Sequence, residues 1–490
     1  MYKFKISESL LLIGIVLIGL LLRIFYLDQP MRLDESSTFL NYVNKHWSQV
    51  FNYTAPNNQV LNTILIKLST KLWGGHPFVI RLPALAFGVA SIPLIYLVCK
   101  KLGSGGYIAA LILAVHPYCI LFSTNARGYT AIVFFTLLFL LVAEQATKQF
   151  NRSAIFKLAL IGSLGLLSIP IMLFPLCGLN LWLALQLVKN GMAPRKVLYQ
   201  FLLPFVLLGI AMSLVFYAPV VWVTMRHYDS LAQGLGMLVN NEFVKATDSE
   251  FFFRTIRAHV TNAISIYRKD IPTPALFLFF LLIAAGFWAD YRERSFRVTQ
   301  LVLLVVISTV IVFLLKHQMP YPRTWIFFIP IFAIAADRGF TFLTQALRQN
   351  PHAFVLVLAL LCVIESFHLM AKKSVHTYAD TGTYADAEVM AKKLASLLNE
   401  GDEVIAPIIP ANLPIYFYLW HERTYNKALK TGGSVKNTYI VMPSDEIKLE
   451  MFSLPPHPID TKLEIVREDN AVKIFEFNGS AIYKAIVKPK

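Results

Sequence analysis

Three short clusters in this sequence combine residue types suited to handling a proton or an anion. Met31-Arg32-Leu33-Asp34-Glu35-Ser36 sets two carboxylates side by side just after an apolar run. Asn125-Ala126-Arg127-Gly128-Tyr129 places an arginine and a tyrosine in a short link between two further runs. Tyr321-Pro322-Arg323-Thr324-Trp325 opens a later one, with Lys316 and His317 just before it. A carboxylate at such a place can take a proton from an acceptor hydroxyl, with Asp34 as the base and Glu35 positioning it or holding a divalent cation. A guanidinium meets a phosphate with paired charge-assisted hydrogen bonds, about 1.5–3 kcal/mol each.

Each cluster also has a plainer reading. Asp34 caps a helix over Glu35 to Val43 through its side-chain oxygen. Arg127 snorkels toward lipid headgroups. Pro322 starts a helix whose aromatic residues anchor it at an interface. A fourth cationic group, Arg254, Arg257, His259, Arg268 and Lys269, is spaced so that Arg254 and Arg257 share one face of a short interfacial helix. Position along the chain does not separate the chemical readings from the plain ones.

The absences narrow the chemistry further. The sequence has no Gly-x-x-x-x-Gly-Lys loop, no Gly-x-Gly-x-x-Gly after a strand, no His-Glu-x-x-His, no Cys-x-x-Cys and no Asp-x-Asp. These disfavour ATP-driven transport, nucleotide-sugar donors and a dedicated metal site, and leave a donor carried by a membrane lipid. No cofactor is called for beyond a divalent cation that Glu35 could hold.

The elements that must position these residues are membrane helices. Of 490 residues, 56% are hydrophobic and 15% charged, with a formal net charge of +16 and a mean hydropathy of +0.56. Nucleic-acid binders of comparable basicity carry far more charge on far less apolar surface, so a nucleic-acid partner is excluded. Apolar runs occupy Leu10 to Leu27, Leu82 to Cys99, Tyr107 to Ser123, Tyr129 to Ala143, Ile155 to Ser168, Ile171 to Val188, Tyr199 to Val223, Pro274 to Ala289, Val298 to Leu315, Pro322 to Ala336 and Ala353 to Met370. They predict about eleven transmembrane helices in residues 1–370, the first retained rather than cleaved. All four cysteines lie in apolar segments, and no disulfide is expected.

Charge sets the orientation. Every second connection is short and basic, with 15 Lys and Arg against five acids, which assigns that side and the N-terminus to the cytoplasm. The other connections, chiefly the loops 28–81 and 224–273, then face outward and carry a net +6. An anionic lipid phosphate on the outer face accounts for it. Residues 371–490 hold 15 basic and 15 acidic residues and form a neutral extracytoplasmic domain. Its pattern is α/β, with a helix over Tyr384 to Asn399 and strands at Glu403 to Ala406, Thr438 to Met442, Leu463 to Val466, Val472 to Phe477 and Ala481 to Val487.

Taken together, the Asp34-Glu35 pair, Arg81-Leu82-Pro83-Ala84-Leu85, Asn125-Ala126-Arg127-Gly128-Tyr129, and Pro322-Arg323 with Pro330 resemble the GT-C glycosyltransferases that use polyprenyl-phosphate sugars. This superfamily includes protein mannosyltransferases, the aminoarabinose transferase of lipid A and the Rgt-type enzymes. Many relatives have Asn-His-Pro where this chain has Gln59 and Val60, so no ligand role carries over directly to that segment. The neighbouring Asn57, Asn58 and Asn62 retain side chains able to hydrogen-bond a sugar.

The resemblance implies a multi-pass GT-C fold in the plasma (inner) membrane and a polyprenyl-phosphate donor whose phosphate is held by Arg127, Arg323 and Arg81. It implies substrate contacts from Asn57, Asn58, Gln59, Tyr129, His317, Arg254 and Arg257, and Asp34 as base in an inverting transfer to a glycan, lipid or protein hydroxyl. Two other classes compete: a lipid or polysaccharide flippase, disfavoured by the lack of charged residues at mid-membrane depth, and a surface-polymer ligase or polymerase, whose mark would be Arg254 and Arg257.

Overall fold

The computed structural model describes residues 8–53, 58–226, 243–245, 257, 260–262, 264–265, 268, 270–316, 318–320, 322–371, 382–400, 402–406, 412–424, 437–443, 471–478 and 480–485. Two compact units emerge from its packing. One comprises Met1–Leu27, His46–Ser69 and Ile80–Val375; the other comprises Asp28–Lys45, Thr70–Val79 and His376–Lys490.

The first unit is a helical bundle. Its helices are α1 (Glu8–Leu27), α3 (Trp47–Val50), α4 (Val60–Trp73), α5 (Pro77–Leu102), α6 (Tyr107–Val115), α7 (Pro117–Ser123), α8 (Tyr129–Lys148), α9 (Arg152–Ser168), α10 (Leu173–Lys189), α11 (Pro194–Val197), α12 (Leu203–Met225), α13 (Thr273–Arg292), α14 (Arg297–Lys316), α15 (Phe328–Ala346) and α16 (Pro351–Ala371); the last turn of α4 and the first of α5 are counted with the second unit. The intervening α2 (Leu33–Thr38) belongs to the second unit. All eleven apolar runs fold as helix, and seven helices among the described residues are long and apolar enough to cross a membrane. The chain is a multi-pass membrane protein.

Small residues permit close helix crossings. α13 and α15 meet where Gly286 and Gly339 lack side chains: a Cβ on Gly339 would stand 1.9 Å from the carbonyl oxygen of Leu282. Charged side chains tie one end of the bundle. Asp337 accepts N–H groups from Gly106 (2.7 Å) and Ile108 (3.0 Å), satisfying donors that the first turn of α6 leaves without partners in its own helix. Arg338 pairs with Asp290 and Glu293, and Arg297 pairs with Glu144.

The Tyr107 to Ser123 run is one apolar stretch in sequence and two helices in the fold. Pro117 has no N–H to give Leu113, and the N–H of Tyr118 goes to His116 Nδ1 at 3.1 Å rather than back to Ala114. Both orphaned carbonyls are taken up by Arg23 of α1, whose Nη1 donates to Ala114 O and Nη2 to Leu113 O, each at 2.8 Å. Its Nε donates to Ser123 Oγ (2.9 Å) and Nη1 also to Gly19 O (2.8 Å). Arg23 is 1% exposed, and no carboxylate pairs with it among the described residues. It therefore pins the helix break against α1 through three carbonyl dipoles and the Ser123 hydroxyl. Arg23→Leu should strand those carbonyls at about 1–3 kcal/mol each and lower the unfolding temperature in detergent. Arg23→Lys, which keeps donors there, should recover part of the loss; equal stability of Arg23→Leu and the parent would refute the pin.

A short antiparallel pair, β1 (Phe243–Lys245) and β2 (Gln318–Pro320), belongs to the first unit, and the second carries a four-stranded sheet in the order β3-β4-β6-β5, from β3 (Glu403–Ile405), β4 (Thr438–Pro443), β5 (Ala471–Phe477) and β6 (Ser480–Ala485). β3 runs parallel to β4, and the other neighbours are antiparallel, with Ile440 opposite Tyr483. Helix α17 (Ala387–Leu397), shorter than the Tyr384 to Asn399 expected, buries Ala387, Met390, Ala391 and Leu394 on one face and leaves Leu397 half-buried. The strand expected at Leu463 to Val466 lies outside the described residues. A helix absent from the sequence reading, α18 (Asn412–His421), packs against α17 and α2.

Candidate functional site

The carboxylate pair sits on α2, which the second unit holds in place. The Arg32 backbone bridges to Thr383, and the Leu33 N–H donates to Gly382 O at 2.9 Å. Arg32 itself is buried, with Nη2 on Gln29 Oε1 (2.6 Å) and Nη1 on Thr383 Oγ1 (3.1 Å). The Met31 N–H donates to the Tyr418 hydroxyl of α18 at 3.0 Å.

This arrangement separates the two carboxylates. Glu35 is 0% exposed, and its Oε2 accepts the Arg32 N–H at 3.0 Å, closing the N-terminus of the helix from the third position. The plainer expectation for Asp34 is thereby corrected: the cap is Arg32, and Asp34 lies within the first turn of a helix that begins at Leu33. Asp34 remains half-buried, with its backbone carbonyl accepting from Thr38 Oγ1. The expected helix to Val43 is α2 followed by a π turn, Phe39–Val43.

The arginine cluster is built in the first unit, where the link between α7 and α8 is gripped by the start of α4. The Gly128 N–H donates to Gln59 Oε1 at 2.5 Å, and Asn62 Nδ2 donates to Ala126 O at 2.9 Å. The link closes on itself through the Arg127 N–H and Asn125 O at 2.6 Å. Arg127 is 2% exposed, with its guanidinium carbon 5.9 Å from the centre of the Tyr129 ring. Tyr129 is buried against Phe122, ring centroids 4.6 Å apart.

Gln59 thus joins the arginine link through a contact that sequence spacing did not suggest, while Asn58 faces another way. Its Nδ2 donates to Val50 O (2.9 Å) and Asn52 O (2.6 Å), and its Oδ1 accepts from Thr63. Arg81 is fully buried and donates to Leu27 O at 2.6 Å, fixing the last turn of α1. Arg323 is half-buried in a 3-10 turn, Pro322–Phe327, where the sequence predicted the start of an α-helix. Arg257 is exposed. Asn57, His317 and Arg254 lie outside the described residues.

Sequence reasoning passed over two residues. Arg23 reads as a charge near a helix end, and only the break at Pro117 shows what it serves. Asn125 stood in the motif without a role, yet it is 0% exposed. Among the described residues, no group of three or more His, Cys, Asp or Glu side chains is placed to hold a metal ion.

The profile of the Dolichyl-phosphate-mannose-protein mannosyltransferase family matches residues 60–223, about a third of the chain. That stretch runs from the residue after Gln59, through the arginine link, to the end of α12. No curated protein matches by sequence. Among solved structures, ArnT from Cupriavidus metallidurans in the apo state is similar with a TM-score of 0.62 at 13% identity, over 97% of both chains. The same protein bound to undecaprenyl phosphate is similar with a TM-score of 0.59 at 13% identity, over 97% of this chain and 98% of that one. At this identity the likeness establishes the GT-C fold.

Proposed function

We propose that this chain, a membrane glycosyltransferase of the GT-C fold, moves a monosaccharide from a polyprenyl-phosphate donor to an acceptor hydroxyl at the outer face of the plasma (inner) membrane. The observation that carries the reading is the end-to-end likeness to a structure solved with undecaprenyl phosphate, over 97% of this chain. The arginine link supports it by its place, since it lies within residues 60–223, the stretch that matches the mannosyltransferase profile.

In this reading the polyprenyl tail lies along the apolar helices, and the phosphate is met by Arg127 and Arg323. Arg81 fixes the end of α1 and adds positive charge. A phosphate so stabilised leaves without strong general acid assistance, because the charge developing on the departing oxygen meets fixed cations. Asp34 takes the proton of the acceptor hydroxyl as that oxygen attacks the anomeric carbon from the face opposite the phosphate, which inverts the configuration. Glu35, committed to the helix N-terminus, orients Asp34 rather than replacing it. Gln59 and Tyr129 complete the donor surroundings, and Asn57, His317, Arg254 and Arg257 are further substrate contacts. The domain of residues 371–490 faces the same side as the acceptor, which is a glycan, lipid or protein.

The test is comparative mass spectrometry of surface lipids, glycans and proteins from a strain lacking the gene. Loss of one monosaccharide from one acceptor class is expected, with restoration by the intact gene. An unchanged profile together with altered movement of a labelled lipid would turn the reading toward a flippase.

A further inference from the structure

Asn125 is 0% exposed, and among the described residues neither its Oδ1 nor its Nδ2 has a hydrogen-bond partner. A buried amide in that state costs about 1–3 kcal/mol for each group left unsatisfied, so its retention calls for a partner from outside the chain. Two neighbouring amides share the condition in part. Gln59 spends Oε1 on the Gly128 N–H and leaves Nε2 unpaired; Asn62 spends Nδ2 on Ala126 O and leaves Oδ1 unpaired.

Those bonds fix the chemistry of what remains. An N–H must meet the Gln59 oxygen and a carbonyl must meet the Asn62 nitrogen, so neither amide can be turned over. The unused atoms are then one donor from Gln59, one acceptor from Asn62, and one of each from Asn125 whichever way it is oriented. All three side chains belong to, or grip, the single link of residues 125–128. A phosphate only accepts, and two amide oxygens would repel it. A sugar hydroxyl both donates and accepts, and a pair of adjacent hydroxyls matches this set.

We infer that Asn125, with Gln59 Nε2 and Asn62 Oδ1, forms a subsite for hydroxyl groups of the donor's sugar, distinct from the arginines that meet its phosphate. The inference rests on the lipid-linked donor reading and adds to it where sugar selectivity resides. It also makes Asn125 a residue kept for binding at the expense of stability.

The sign of that trade is the test. Asn125→Leu replaces a partnerless amide with an apolar group of similar size, so the unliganded protein in detergent should unfold at the same or a higher temperature. The same variant should bind undecaprenyl phosphate like the parent. It should bind undecaprenyl phosphate bearing glucose, mannose or arabinose about tenfold more weakly for whichever sugar the parent prefers, as expected for one lost hydrogen-bonding group. Asn125→Ala, which adds no bulk, should show the same loss of preference.

A clear fall in unfolding temperature for both variants would mean that the amide is held internally, and would overturn the subsite. So would retained sugar preference in both, or equal weakening toward the bare and the glycosylated lipid. If the parent binds none of these lipids, the donor reading itself fails, an outcome distinct from a parent that binds them and variants that do not discriminate.

Discussion

Asp34→Asn should cut sugar transfer by about 10²–10⁴, the usual contribution of a positioned general base, while leaving a folded, membrane-inserted protein. The two parts of the expectation come from different features. Asparagine keeps the size and polarity of the side chain but cannot carry off a proton at neutral pH. Two bonds of this turn spare the replaced carboxylate: the helix start is closed by Glu35 on the Arg32 N–H, and the Thr38 hydroxyl uses the Asp34 backbone. The change removes a favourable charge near a helix N-terminus, about 0.3–1 kcal/mol. The check is a transfer assay with membranes or purified protein beside a thermal unfolding trace. Full activity in Asp34→Asn would remove the base assignment. Activity abolished only by Glu35→Gln would move the base by one residue.

Arg127→Ala should weaken binding of undecaprenyl phosphate by about 10- to 100-fold, the equivalent of one charge-assisted contact of roughly 1.5–3 kcal/mol, with a smaller change in acceptor affinity. Arg127→Lys should recover only part of it, because an ammonium keeps the charge and gives up the planar fork that meets two phosphate oxygens together. The surrounding link should survive either change, since its grip runs through Gln59 on the Gly128 N–H and Asn62 on Ala126 O. Titration of the lipid into detergent-solubilised protein reads the difference. Unchanged lipid affinity would reduce Arg127 to a packing partner of Tyr129.

Both expectations name residues visible in the sequence, yet the sequence left each with a competing plain reading. For Asp34 the alternative was a helix cap, and the fold removes it by giving that task to Glu35 from the third helical position. For Asn58 and Gln59 the sequence offered equal claims as hydrogen-bonding neighbours. Their side chains diverge because α4 begins between Asn58 and Thr63: Asn58 turns back to the carbonyls of Val50 and Asn52, and Gln59 reaches the link before α8. Divergence of adjacent residues at a helix start is a matter of dihedral angles, and no spacing rule carries it.

Composition and periodicity by themselves determined that this is a multi-pass helical membrane protein with a polar α/β region toward its C-terminus, and where each apolar run folds as helix. Water is absent from a bilayer core, so length and hydropathy nearly suffice to mark what crosses it. Tertiary structure alone decided three things: that the Tyr107 to Ser123 run breaks at Pro117 and is pinned by Arg23, that Asp28–Lys45 with α2 folds with the C-terminal residues rather than with the bundle, and that Asn125 is buried without a partner. In each case the deciding bond joins residues some 70 or more positions apart or is missing altogether. A local pattern records which groups a residue brings; which of them the fold leaves over depends on distant segments that supply or withhold the partner.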